Sequence, residues 1–184
     1  MGKLLLITGD LAAGKSRFAS MLSRRYNTAV FFKDTIKEAL ADTIGFSGRE
    51  ESRKLSIAAV ELMFLIGSEF GKLEKNLILE ANFRTAELEK LRQIALEHNC
   101  SVLTLVLRGD PEVLHKRFLN RMQQENRHPA HLTAGLDEFD RFKAYLEQAR
   151  AGQIPGDAIY IPADDFSYQT DAQLLGKIDA FIKV

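Results

Sequence analysis

Apolar residues along this chain fall into two patterns. Five short runs are nearly continuous in Leu, Ile, Val and Phe, and predict strands over residues 3–8, 28–32, 76–80, 101–107 and 157–161. Unbroken runs of this kind suit strands covered on both faces, because both sides of the pleat then need apolar side chains. Between them the apolar residues return at helical spacing. Helices are predicted over residues 14–25, 34–43, 49–73, 86–99, 111–124, 137–150 and 170–183. The longest carries Leu55, Ala58, Ala59, Leu62 and Ile66 along one side, with Met63, Phe64 and Phe70 as further core candidates. Thr85 stands where an N-cap is expected, and Pro111 at a favoured first-turn position. Alternating strands and helices mean a parallel sheet joined by right-handed crossovers, so the expected fold class is α/β.

With 184 residues and no repeat or linker, the chain reads as one domain over 1–184. Hydrophobic residues make up 46% and charged residues 27%, which excludes bulk disorder. Lys+Arg and Asp+Glu both total 25, which weighs against a protein that coats nucleic acid or an acidic membrane through bulk charge. Cys100 is the single cysteine, so an internal disulfide is impossible. The first apolar run is too short for a signal peptide or a membrane span. A cytoplasmic, reducing setting is the expectation.

The chemistry begins where the first strand ends. Gly9-Asp10-Leu11-Ala12-Ala13-Gly14-Lys15-Ser16 matches G-x-x-x-x-G-K-[ST], between an apolar strand and a helix. Glycines let the backbone curl so that its N–H groups converge on phosphate oxygens, and the helix start adds its positive end. Lys15 is then expected to reach the β- and γ-phosphates, and Ser16 to hold Mg²⁺. ATP and Mg²⁺ are the expected cofactors.

Ligands of open parallel sheets sit beyond the carboxyl ends of the strands, so residues after each strand come next. Asp34 follows the second strand at a helix start. It suits both an N-cap and a general base for an attacking hydroxyl, with Lys37 one turn on to bind an acidic group of the acceptor. After the third strand, Glu80 suits a water-mediated Mg²⁺ contact, while Asn82 and Arg84 could bind the acceptor. Beyond the fourth strand, Arg117 and Arg121 share a helical face, and Arg127 stands in a Pro-containing segment with His128 and His131. Arginines on a lid spanning roughly 117–136 would neutralise charge on a transferring phosphoryl group and exclude water. A metal at the two histidines lacks a visible third ligand.

Taken together, Gly9 to Ser16, Asp34 with Lys37, Glu80-Ala81-Asn82, and Arg117/Arg121 with Arg127-His128-Pro129 resemble the P-loop kinase superfamily. The resemblance is greatest to AAA-type ATPases of the zeta-toxin and chloramphenicol phosphotransferase kind and to phage-type polynucleotide kinase domains. It implies a three-layer α/β/α fold with a five-stranded parallel sheet in the order 2-3-1-4-5 and an arginine-bearing lid after the fourth strand. It also implies that Asp34 is the general base, that Arg117 or Arg121 packs on adenine while the other contacts phosphate, and that Glu80 stands where aspartate is more usual. Residues 80–84 keep the acid-to-arginine spacing of adenylate kinases without their Gly and Pro, which points away from nucleoside monophosphates. The expected activity is transfer of the γ-phosphoryl group of ATP to a small-molecule hydroxyl. A non-kinase ATPase or nucleotide switch is one alternative; a nucleoside, nucleotide or polynucleotide kinase is another. Charge balance and the lack of an aromatic-rich basic stripe weigh against nucleic acid.

Overall fold

Leu4, Leu5, Leu6 and Ile7 are all buried, and they divide between two cores. Leu5 and Ile7 join one cluster, Leu4 and Leu6 the other, as the two-residue period of a strand requires. The strand is β1 (Lys3–Gly9), central in a computed structural model that describes residues 1–124, 128–131 and 135–183. It is followed by α1 (Lys15–Tyr26), β2 (Ala29–Phe32), α2 (Lys33–Ile44), α3 (Gly48–Lys72) and β3 (Leu77–Glu80). Then come α4 (Thr85–Glu97), β4 (Ser101–Arg108), α5 (Pro111–Gln124), α6 (Phe139–Arg150), β5 (Ala158–Pro162) and α7 (Ala172–Lys183). A 3-10 turn at Ser167–Gln169 was not expected from the pattern.

All five strands pair in parallel, in the order β2-β3-β1-β4-β5. Helices α1, α5, α6 and α7 supply Phe18, Leu22, Phe118, Phe142, Leu146 and Ile178 to the core on one face. Helices α3 and α4 supply Val60, Met63, Phe64, Leu88 and Leu91 to the other. The result is the expected three-layer sandwich, with sheet order and class as the resemblance implied.

Some local expectations are corrected. Cover on both faces holds for β1, β3 and most of β4 but not at the edges: Ala29 of β2 is exposed, and Tyr160 of β5 is 53% exposed. Leu62 lies on the outer side of α3, since the buried stripe runs through Leu55, Ala59, Met63 and Gly67. Thr85 does not cap α4. Its hydroxyl donates to the Gln153 carbonyl at 2.8 Å, and the Glu87 carboxylate accepts from the Arg84 N–H at 2.8 Å instead. Asp34, expected as the N-cap, sits in the first turn of α2, two places inside the cap position that Phe32 occupies. Helix α7 is opened by the Asp171 carboxylate, which accepts from the N–H groups of Gln173 and Leu174 at 2.8 and 3.2 Å.

Because the sheet is parallel, the carboxyl ends of β1, β2 and β3 lie together along one edge. That edge carries the phosphate loop, the start of α2 and Glu80.

Candidate active site

The loop between β1 and α1 is shaped by three left-handed residues. Gly9 has φ 121°, Ala12 φ 64° and Gly14 φ 85°. Two of them permit no side chain. A Cβ on Gly9 would lie 2.1 Å from the Leu107 carbonyl oxygen, and one on Gly14 would lie 2.6 Å from Tyr168 Oη. Ala12 accepts the strain instead, at about 1–2 kcal/mol. Ala13 is fully buried and its carbonyl accepts from Tyr168 Oη at 3.0 Å, while Leu11 packs on the core beneath.

Lys15 begins α1 and turns back into the loop. Its Nζ donates to the carbonyls of Gly9 (3.2 Å) and Asp10 (2.6 Å). Burial lowers its pKa, and the carboxylates of Glu80, Asp34 and Asp10 oppose that shift. Next to it, Ser16 Oγ donates to Glu80 Oε2 at 2.8 Å. Glu80 ends β3 at 7% exposure, and burial raises its pKa despite the nearby Lys15 ammonium. Asp34 faces the same space. Burial pushes its pKa up, but Lys33, His131 and Lys15 outweigh burial and hold it below its ordinary value. Lys33 Nζ is 3.2 Å from its Oδ1.

These groups open on a cleft of about 810 Å³ lined by Ser16, Asp34, Glu38, Glu80, Arg121 and His131, among others. Arg121 also acts on the Lys15 charge, so the α5 arginine and the loop lysine share one electrostatic neighbourhood. The structure thus brings Lys15, Ser16, Asp34, Glu80 and Arg121 together. Arg117 is nearby but committed elsewhere: its guanidinium donates to the Ala163 carbonyl at 2.6 Å and to the Asp164 carbonyl, and lies 4.4 Å from the Phe166 ring centroid. Arg127 lies outside the described residues.

The acceptor-side expectations fare differently. Lys37 is 5% exposed, and its Nζ donates to Ser52 Oγ at 2.8 Å and to the Ala130 carbonyl at 2.7 Å. Its amine ties residues 128–131 to α2 and α3 rather than lining the cleft. That differs from the expectation that it faces the acceptor; two of the three N–H donors of its ammonium are drawn to buried oxygens. Asn82 and Arg84 are exposed beyond β3, and neither lines the cleft. Arg84 instead ends up at the N-cap of α4.

The segment 128–131 is anchored rather than loose. His128 Nε2 lies 3.0 Å from Asp42 Oδ1, His131 Nε2 lies 2.7 Å from Glu38 Oε1, and Ala130 is fully buried against Ala41 and Leu55. Among the described residues, no group of three or more His, Cys, Asp or Glu side chains could hold a metal, and no helix is long and apolar enough to cross a membrane. Sequence reasoning missed Tyr168 and Phe166, which press on Gly14, and Arg150, which forms an ion pair with Asp10. An aromatic pair just after the last strand was a usable signal for the first two. Nothing local marks Arg150.

A five-stranded parallel sheet in this order, with a phosphate loop leading from its central strand into a helix, defines the fold of the P-loop kinases. The chain belongs to the AAA domain family, which it matches over residues 4–166. No curated protein sequence matches it. Among solved structures it is similar to a Chloroflexus aurantiacus protein provisionally named a kinase, at 26% identity and TM-score 0.80 over 98% of both chains. It also resembles Chaetomium thermophilum Kti12 in complex with ADP-AlF3, at 16% identity and TM-score 0.68, over 97% of this chain and 98% of that one. Shikimate kinase from Bacteroides thetaiotaomicron matches at 17% identity and TM-score 0.62, over 98% of both chains.

Proposed function

We propose that this protein is an ATP-dependent phosphotransferase that moves the γ-phosphoryl group to a hydroxyl of a small-molecule acceptor. The observation that carries the reading is the facing of Asp34 and the Lys15–Ser16–Glu80 cluster across one cleft. Phosphoryl transfer asks little covalent chemistry of a protein. It asks for charge placed around the phosphates and a hydroxyl held in line.

Each residue then has a task. Loop N–H groups from Leu11 through Ser16 bind the phosphate chain, and Lys15, held at the carbonyls of Gly9 and Asp10, meets its terminal oxygens. Ser16 and Glu80 offer the oxygen donors that Mg²⁺ prefers, a hydroxyl and a carboxylate 2.8 Å apart, so the residues fit that ion. When bound, it neutralises charge on the phosphate oxygens. Arg121 adds a positive group from the cleft wall. Asp34 stays ionised because of Lys33, His131 and Lys15, so it orients the acceptor hydroxyl and takes its proton as the new P–O bond forms and the bond from the γ-phosphorus to the departing ADP breaks. The likeness to a Kti12 structure holding ADP-AlF3 and to shikimate kinase supports a nucleotide in the cleft and a small hydroxylated acceptor beside it.

The test pairs an acceptor screen with Asp34→Asn. Radiolabelled ATP is offered with sugars, amino sugars, nucleosides and hydroxylated antibiotics, and labelled product is sought. Asp34→Asn should leave ATP affinity within about twofold while slowing turnover about 10²- to 10⁴-fold. ADP release that ignores both acceptor and Asp34 would instead mark a plain ATPase.

A further inference from the structure

We propose that Arg150 is a positioning residue for the phosphate loop, acting through Asp10 to set Lys15 where a triphosphate would meet it. The proposal rests on the nucleotide-binding reading above.

Asp10 is the second residue of the loop and is 2% exposed. Each of its polar groups is engaged. Its N–H donates to the Leu107 carbonyl at 2.8 Å, and its own carbonyl accepts from Lys15 Nζ at 2.6 Å. Its carboxylate accepts from Arg150 Nε at 3.1 Å, from Arg150 Nη2 at 2.5 Å and from the Gly109 N–H at 3.0 Å. Arg150 Nη2 also donates to the Gly109 carbonyl at 2.5 Å. A continuous chain of hydrogen bonds therefore runs from the Arg150 guanidinium through Asp10 to the Lys15 ammonium.

Charge explains why such a chain is needed. A carboxylate in a loop that binds phosphate would repel its ligand if it swung outward. The planar fork of Arg150 grips both carboxylate oxygens, turns them into the protein and offsets their charge. The fork is itself fixed. Arg150 is the last residue of α6, whose Phe142 and Leu146 are fully buried, and Phe118 of α5 packs against Phe142 with the ring centroids 5.4 Å apart. Asp10 is buried and Arg150 half-buried, so the guanidinium both offsets the Asp10 charge and fixes its direction.

Arg150→Met and Arg150→Lys test the proposal, with Arg25→Met as a control that breaks an ion pair with Asp179 away from the loop. Mg-ATP affinity is measured by calorimetry well below each variant's melting temperature, and KM and kcat by ADP release. Arg150→Met should weaken Mg-ATP binding about 10- to 100-fold, with kcat at saturating ATP nearly kept. Arg150→Lys, which keeps the charge without the fork, should fall between it and wild type, and it carries the test alone if Arg150→Met does not fold. Arg25→Met should bind like wild type. An Arg150→Met or Arg150→Lys protein that melts lower yet binds Mg-ATP as wild type does overturns the proposal. A wild type that binds no nucleotide overturns the reading beneath it, and that outcome is distinct because it appears before any variant is made.

Discussion

Gly14 shows how one missing side chain can decide a site. Its φ of 85° and the closeness of Tyr168 Oη leave no space for a Cβ. Gly14→Ala should lower unfolding free energy by about 1–3 kcal/mol, read by urea denaturation, and weaken Mg-ATP binding as well. Glu80 makes a different prediction. Burial raises its pKa in the folded state, with Lys15 only partly compensating. A carboxyl with a raised folded pKa contributes most stability below its unfolded value, and loses that contribution as pH rises through the folded one. Above that window the ionised Glu80 is a burden on the ligand-free protein. Glu80→Gln should therefore melt higher than wild type at neutral pH without ligand, with the gap closing toward pH 4. The same variant should bind Mg-ATP more weakly. A Glu80→Gln protein with an unchanged pH–stability profile would show that the carboxylate is not strained there.

At the scale of elements, α2 and α3 are joined through residues 128–131. The Ala130 carbonyl accepts from both Lys37 Nζ and Ser52 Oγ, and two histidines meet Glu38 and Asp42 one turn apart on α2. Lys37→Met should cost about 1.5–3 kcal/mol of stability in the ligand-free protein, the range for a lost hydrogen bond to a charged group. A lysine waiting for substrate in solvent would cost almost nothing on removal, so thermal melting distinguishes the two roles. The elements themselves were largely legible in advance. Helix α5 starts and ends where the sequence pattern put it, and β1 through β5 each fall within one or two residues of expectation. The misses have one physical origin. Leu62 satisfies helical spacing yet points outward, because spacing defines a stripe but not which neighbouring stripe the sheet covers. Thr85 has a good capping side chain, but the Gln153 carbonyl claims it.

For the whole molecule, the loop, α2 and β3 meet at one edge only in the folded state, so a nucleotide bridging them should stabilise the entire fold. At a free concentration of one hundred times its Kd, Mg-ATP should add about 2.7 kcal/mol. That corresponds to a rise in Tm of about 5–10 °C for a chain of this size, measured by scanning calorimetry. Lys15→Ala should abolish most of the shift. A family match over residues 4–166 covers the sheet, the loop and the cleft, which fits a site assembled from most of the chain.

What the sequence determined by itself is local in its physics. Strand and helix periodicity, the glycines of the loop and the Lys-Ser that follows them depend on neighbours within a few residues, and all could be read from the order of side chains. Tertiary structure alone decided which polar groups would be spent on the protein itself. Lys37 reaches an oxygen 93 residues away, Arg150 a carboxylate 140 away and Tyr168 a carbonyl 155 away. No periodicity encodes such pairs, because they exist only once the sheet has closed and removed their alternatives in water.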